Sequence, residues 1–126
     1  MLGKHLLADM YGVDSRLMTD ERFLKDLLVR AAVVSGLHLI AEPYLIRFPA
    51  DVGSTQRARG GGVTGFALLS ESHISFHSYP ERNFLALDIF TCGKADPHRA
   101  LQIFQEALSP REIRVISHNR GAALAG

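Results

Sequence analysis

The sequence predicts an α+β protein, a two-layer sandwich in which an antiparallel sheet carries two helices on one face. Two observations support this fold class. Two segments place apolar residues at helical spacing, and the segments of strand-like composition are clustered along the chain, which leaves room for few crossover connections. The predicted order is β-α-β-β-β-α-β. A chain of 126 residues fits a single domain, residues 1–126, with one hydrophobic core.

The helices are predicted from their caps and their apolar stripes. Thr19 has the side chain of an N-cap residue and precedes two acidic residues, which suit a first helical turn; Gly36 is a natural end for that helix. Asp96 followed by proline predicts the start of the second helix. The apolar stripe of the first helix consists of Phe23, Leu24, Leu27, Leu28, Ala31 and Ala32. That of the second consists of Ala100, Ile103, Phe104, Ala107 and Leu108.

The strand candidates are residues 3–13, 37–48, 63–70, 72–79, 84–91 and 112–118. Pro43 cannot donate a ladder hydrogen bond, so its segment is predicted to be an edge strand or to contain a bulge. Residues 79–83, "YPERN", predict a turn. Residues 49–62 change to Gly, Pro, Ser and Arg and are predicted to form a loop.

Composition excludes several classes of function. A formal net charge of +1 gives no basic excess for nucleic-acid binding. No apolar run reaches the ~18–20 residues that span a bilayer, and the first residues lack the pattern of a signal peptide. Cys92 is the single cysteine, so no intrachain disulfide is expected. These features predict a cytoplasmic protein that contacts neither membrane nor nucleic acid.

The stretch "LLSESHISFHSYPER", residues 69–83, holds two histidines and three serines within a predicted strand. Each buried polar group without a partner destabilises a protein by ~1–3 kcal/mol, so the segment is either a solvated edge or a working site. A metal site is disfavoured, because His73 and His77 would lie about 13 Å apart along a strand. Nucleophilic catalysis by Cys92 with a histidine remains open, but no spacing singles it out.

A fourth interpretation rests on resemblance. The segment "SESHISFHSYPE" followed by "ALDIFTCG" resembles the signature of the prokaryotic S-adenosylmethionine decarboxylase proenzymes. The similarity extends to "GKHLLADMYGVD" at residues 3–14 and "RVISHNRG" at residues 114–121, and thus covers most of the chain. Members of that family cut their own chain and make a pyruvoyl group, which serves as the electron sink for decarboxylation through a Schiff base with the substrate.

The resemblance implies cleavage between Glu71 and Ser72, giving residues 1–71 (β chain) and 72–126 (α chain) with a pyruvoyl group made from Ser72. It assigns processing to His77 as acid or base, with help from Thr64, where relatives often have serine. It assigns return of a proton to the product to Cys92. Because Ser72 and His77 are an odd number of residues apart, we expect either a bend or bulge between them or a position of Ser72 before the strand proper.

The same resemblance implies S-adenosylmethionine as substrate, with its decarboxylated product serving spermidine synthesis. Phe48 and Tyr79 would sandwich the adenine, and Glu81 would accept hydrogen bonds from the ribose hydroxyls. A homodimer of processed protomers, with the site near subunit contacts, is also implied. Two alternatives stay open: a pyruvoyl arginine or ornithine decarboxylase of the same family, and a non-catalytic α+β binding module.

Overall fold

The computed structural model describes residues 2–48 and 61–124. They form one six-stranded antiparallel sheet in the order β2-β3-β4-β5-β1-β6. The strands are β1 (Gly3–Tyr11), β2 (Tyr44–Arg47), β3 (Val63–Leu69), β4 (Ser72–Tyr79), β5 (Phe84–Cys92) and β6 (Glu112–Arg120). The helices are α1 (Ser15–Met18), α2 (Glu21–Val34) and α3 (Pro97–Leu108), and a 3₁₀ turn over Pro80–Arg82 joins β4 to β5.

The predicted fold class is confirmed, with local differences. The predicted order left out one strand candidate; four strands lie between α2 and α3. The short helix α1 was not predicted, because four residues are too few for a periodic pattern. The N-cap of α2 is Asp20, whose carboxylate accepts from the Phe23 N–H at 3.0 Å, while Thr19 caps the end of α1. The prediction of Thr19 as the cap was therefore wrong by one residue.

Residues 37–48 do not form one long strand. Only Tyr44–Arg47 is a strand, β2, and it lies at the edge of the sheet as Pro43 predicted. Before it, Leu39 makes an isolated bridge to Leu69, so this part of the chain runs along the end of β3. The predicted loop 49–62 falls largely outside the described residues.

Alternate residues of the central strands form the hydrophobic core under the helices. Ile74, Phe76, Leu87 and Ile89 are buried on this face of β4 and β5. The buried faces of α2 and α3 pack against them with Leu24, Leu27, Leu28, Ala31, Ala32, Ala100, Ile103, Phe104 and Leu108. Within residues 2–48 and 61–124 no helix covers the opposite face of the sheet, which we call the open face. The site residues lie along and beside β4, which is central in the sheet.

Candidate active site

The Glu71–Ser72 peptide bond lies where the turn after β3 enters β4. Ser72 has φ 145°, a conformation that side chains other than glycine rarely adopt and that costs of order 1–3 kcal/mol. Its Oγ lies 3.1 Å from Nδ1 of His73. The residue at the predicted cleavage site is thus strained, and its hydroxyl contacts a basic group.

The backbone carbonyl and the side-chain carboxylate of Glu71 both accept hydrogen bonds. The N–H of Cys92, at the end of β5, donates to the Glu71 carbonyl oxygen at 2.8 Å. The Glu71 carboxylate accepts from the His38 N–H at 3.0 Å and lies 2.6 Å from the His38 ring, Nδ1 to Oε2. Burial alone would raise the pKa of Glu71, but the hydrogen bonds from His38 outweigh it and hold that pKa below its ordinary value. The acyl side of the Glu71–Ser72 bond is therefore fixed at two points.

A close approach of β1 completes this end of the sheet. Gly3 pairs with Cys92, and a Cβ on Gly3 would lie 2.4 Å from the Thr91 carbonyl oxygen. Only glycine lets β1 approach the end of β5 this closely. Cys92 itself is partly exposed.

The other predicted residues lie at the far end of β4. Thr64 on β3 pairs directly with His77 on β4, so the two predicted processing residues are neighbours. The ring of His77 lies 5.5 Å from that of Phe48 and 4.7 Å from that of Tyr79, between centroids. Glu81 follows on the 3₁₀ turn, close enough for its charge to act on His77.

The structure does not bring Ser72 and His77 together. β4 begins at Ser72 and pairs continuously with β5 as far as Tyr79, so there is no bend or bulge between the two residues and Ser72 does not precede the strand. Five residues at ~3.3 Å each separate them by about 16 Å along the strand. Within one chain the predicted site is therefore divided into a cleavage end (Glu71, Ser72 and Cys92) and an aromatic end (Thr64, His77, Phe48, Tyr79 and Glu81).

Both histidines of β4 favour the neutral form. Burial lowers the pKa of His73, and the nearby His5 and Arg120 act in the same direction, against the carboxylate of Asp88. Burial also lowers the pKa of His77, and the carboxylate of Glu81 opposes this shift. A neutral imidazole can accept a proton, so both residues are suited to act as bases near pH 7.

Sequence reasoning missed two contacts. Sequence reasoning considered His73 only as a metal ligand, although His73 directly follows Ser72. The contact between the two side chains depends on the unusual φ of Ser72, which no sequence pattern predicts. His38 lies 33 residues from Glu71 and could not be associated with it from a single sequence. Among the described residues no group of histidine, cysteine and carboxylate side chains could hold a metal ion, and no helix is long and apolar enough to cross a membrane.

The geometry defines a small α+β protein in which Ser72, a residue of strained backbone conformation, begins a central strand. Residues 4–121 match the family profile of S-adenosylmethionine decarboxylase. The chain is 40% identical over 120 residues to S-adenosylmethionine decarboxylase proenzyme 2 of Bacillus cereus, covering 94% of this chain and 89% of that one. It is 35% identical over 121 residues to the S-adenosylmethionine decarboxylase proenzyme of Pyrobaculum arsenaticum, covering 95% and 89%.

The fold is similar to that of a solved relative. The crystal structure of the adenosylmethionine decarboxylase from Aquifex aeolicus matches with a TM-score of 0.82 at 33% identity, over 95% of this chain and 91% of that chain. The chain belongs to the S-adenosylmethionine decarboxylase family. The family assignment made from the sequence is confirmed.

Proposed function

We propose that the protein is a self-processing, pyruvoyl-dependent S-adenosylmethionine decarboxylase. The observation that carries the proposal is the Glu71–Ser72 bond, whose serine is strained and whose carbonyl is held by the Cys92 N–H. Its relatives from Bacillus cereus and Pyrobaculum arsenaticum carry the words decarboxylase and proenzyme in their names, which supports both the activity and the processing.

The residues at the cleavage end fit the formation of a pyruvoyl group. The Ser72 hydroxyl attacks the Glu71 carbonyl carbon, the C–N bond breaks, and the peptide becomes an ester with a free amine on residue 72. The Cys92 N–H lies where it would stabilise the oxyanion. A base then removes the Cα proton of residue 72, and β-elimination releases residues 1–71 with a free carboxylate. The remaining dehydroalanine becomes an imine, and water replaces its nitrogen, which leaves as ammonia.

A second copy of the chain would complete the divided site. The open face exposes apolar side chains, among them Leu7 at 39% and Ile116 at 66%. Two open faces packed about a two-fold axis that reverses β4 would put the cleavage end of one protomer over the aromatic end of its partner. We therefore propose a homodimer of processed protomers in which His77 and Thr64 of the partner subunit act on Ser72. The separation of about 16 Å along β4 supports this arrangement.

In the mature enzyme the pyruvoyl group supplies an electrophilic carbonyl and an electron sink for the loss of carbon dioxide. The proposed role of Cys92 is to return a proton to the product from its partly exposed position. Phe48 and Tyr79 are proposed to stack on the adenine of the substrate, and Glu81 to accept hydrogen bonds from its ribose. The product would serve as aminopropyl donor for spermidine synthesis in the cytoplasm.

Two alternative functions are distinguished from this proposal by experiment. A pyruvoyl decarboxylase of the same family that acts on arginine or ornithine would keep the cleavage end and use Glu81 for the distal cation of its substrate. A non-catalytic module would remain uncleaved.

The experiment is intact mass spectrometry of the purified chain, followed by carbon dioxide release from three amino acids. We expect fragments 1–71 and pyruvoyl-capped 72–126, and release from S-adenosylmethionine. An intact chain after long incubation would refute processing. Release only from arginine or ornithine would refute the substrate while retaining the mechanism.

A further inference from the structure

The first chemical step of self-cleavage needs a base at the Ser72 hydroxyl, and His77 of the same chain is too far away to serve. The attack of Ser72 on its own peptide carbonyl requires the hydroxyl proton to leave as the Oγ–C bond forms. The closest basic group that the structure gives this oxygen is Nδ1 of His73, at 3.1 Å. That is within the reach required of a general base.

The surroundings of His73 fix its ring. Its imidazole packs edge-on against the ring of Phe90, with centroids 6.0 Å apart and an interplanar angle of 67°. Of the charged groups that act on it, Asp88 favours the protonated ring, whereas His5 and Arg120 disfavour it. Burial is the largest cause and also lowers the pKa of His73, so the ring is neutral near pH 7 and its Nδ1 can accept the hydroxyl proton when Nε2 carries the ring hydrogen.

We propose that His73 is a catalytic residue of self-cleavage, the general base and then general acid of the acyl shift from nitrogen to oxygen. Nδ1 takes the Ser72 hydroxyl proton as Oγ bonds to the Glu71 carbonyl carbon. The oxyanion on that carbonyl is held by the Cys92 N–H at 2.8 Å. As the C–N bond breaks, the same proton passes from Nδ1 to the departing nitrogen of residue 72. The step is an isomerisation of peptide to ester, so nothing is consumed.

This assignment divides the work between two histidines. His73 acts on the amide of its own chain in the acyl shift. His77 then acts in the later β-elimination, the processing role that the family resemblance implies. Successive side chains of a regular strand point to opposite faces, so Ser72 and His73 would not meet in one. The unusual φ of Ser72 accompanies the contact between their side chains. The inference rests on the proposed cleavage between Glu71 and Ser72.

The test compares the cleavage rates of freshly synthesised precursors by intact mass. His73→Asn keeps a hydrogen-bond acceptor beside Ser72 but lacks a usable base. We expect cleavage about 100-fold slower than wild type, the lower end of what a general base contributes. His98→Asn is the matched control, because it makes the same change at a histidine on α3 that contacts Asp96 and takes no part in the candidate site. We expect it to cleave at the wild-type rate.

A second readout identifies the step. Hydroxylamine cleaves an ester but leaves a peptide bond intact. We expect it to release fragment 1–71 from His77→Ala, which forms the ester and cannot eliminate, and to release at most about a tenth as much from the double variant His73→Asn/His77→Ala. An equal yield from both would overturn the role of His73 in the acyl shift, as would wild-type cleavage by His73→Asn. An uncleaved wild-type chain would instead refute the proposed function itself.

Discussion

The two ends of β4 differ in how completely one chain equips them. At the cleavage end, the Glu71 carbonyl, the Ser72 hydroxyl and the Glu71 carboxylate each have a partner from the same chain, supplied by Cys92, His73 and His38. At the aromatic end, the ring of His77 packs against those of Phe48 and Tyr79, and among residues 2–48 and 61–124 it has no hydrogen-bond partner comparable to that of His73. This difference supports the proposal that the chemistry of the precursor is begun within a protomer and finished between protomers.

The largest expected effect is the loss and recovery of cleavage. We expect Ser72→Ala to remain intact, because it has no hydroxyl for the acyl shift, and His77→Ala to stop before elimination. If the site is shared, co-expression of the two variants restores it in mixed dimers, which pair Ser72 of one protomer with His77 of the other. With random assembly, about a quarter of all chains are then cleaved. Intact mass measures this fraction, and no cleavage in the mixture would mean that each chain uses its own His77.

The next prediction concerns the proposed contact between the cleavage end of one protomer and the aromatic end of its partner. Ile116→Asp places a charge on the open face, which we expect to weaken association by about a hundredfold, equivalent to ~2.7 kcal/mol. Self-cleavage should slow and become dependent on protein concentration. Sedimentation at micromolar concentration and a cleavage time course check both effects. Val33→Asp is the matched control, since Val33 is 63% exposed on α2 and lies away from the open face.

The third prediction concerns Glu81, which belongs to the aromatic end alone. We expect Glu81→Gln to lose a charge-assisted hydrogen bond of about 1.5–3 kcal/mol to the ribose, so the KM for S-adenosylmethionine rises at least about tenfold. Self-cleavage should survive, because no ribose takes part in it. A variant that fails to cleave would place Glu81 in processing instead.

Glu81→Gln also gives a pH readout. The Glu81 carboxylate raises the pKa of His77 against the effect of burial, so its removal should lower that pKa further. His77 then stays neutral to a lower pH, so a step that needs the neutral ring slows only at a lower pH than in wild type. The acid limb of the cleavage profile should therefore move to lower pH, and a shift in the opposite direction would contradict the assignment of His77 as base.

The smallest expected effect lies at the cleavage end, in the contact between His38 and Glu71. In the uncleaved Ser72→Ala background, His38→Ala should lower the free energy of unfolding by about 0.5 kcal/mol, because solvent screens the contact from the exposed His38 side. The pKa of Glu71 is lowered in the folded state, so this contribution is present above the unfolded pKa and is lost as pH falls through the folded one.

Urea unfolding across this pH range checks the contribution of His38. His98→Ala is a matched control, because His98 also contacts one carboxylate, that of Asp96, with both its ring and its N–H. A difference between wild type and His38→Ala that grows as the pH falls would contradict this account.

The sequence by itself determined the family and the fold class, and it supplied the candidate residues of both ends. Local patterns suffice for these: apolar stripes at helical spacing for α2 and α3, Pro43 for an edge strand, and the long motif around Ser72 for the family. It could not give the cap at Asp20 rather than Thr19, since both side chains can cap a helix and only the backbone conformation distinguishes them.

Only the tertiary structure decided how the site residues are grouped. The unbroken pairing of β4 with β5 keeps Ser72 and His77 apart, and strand register depends on contacts between strands distant in sequence. The same long-range pairing brings the Cys92 N–H to the Glu71 carbonyl and His38 to its carboxylate. These contacts join residues 21 and 33 positions apart, because folding makes neighbours of backbone groups that no local pattern relates.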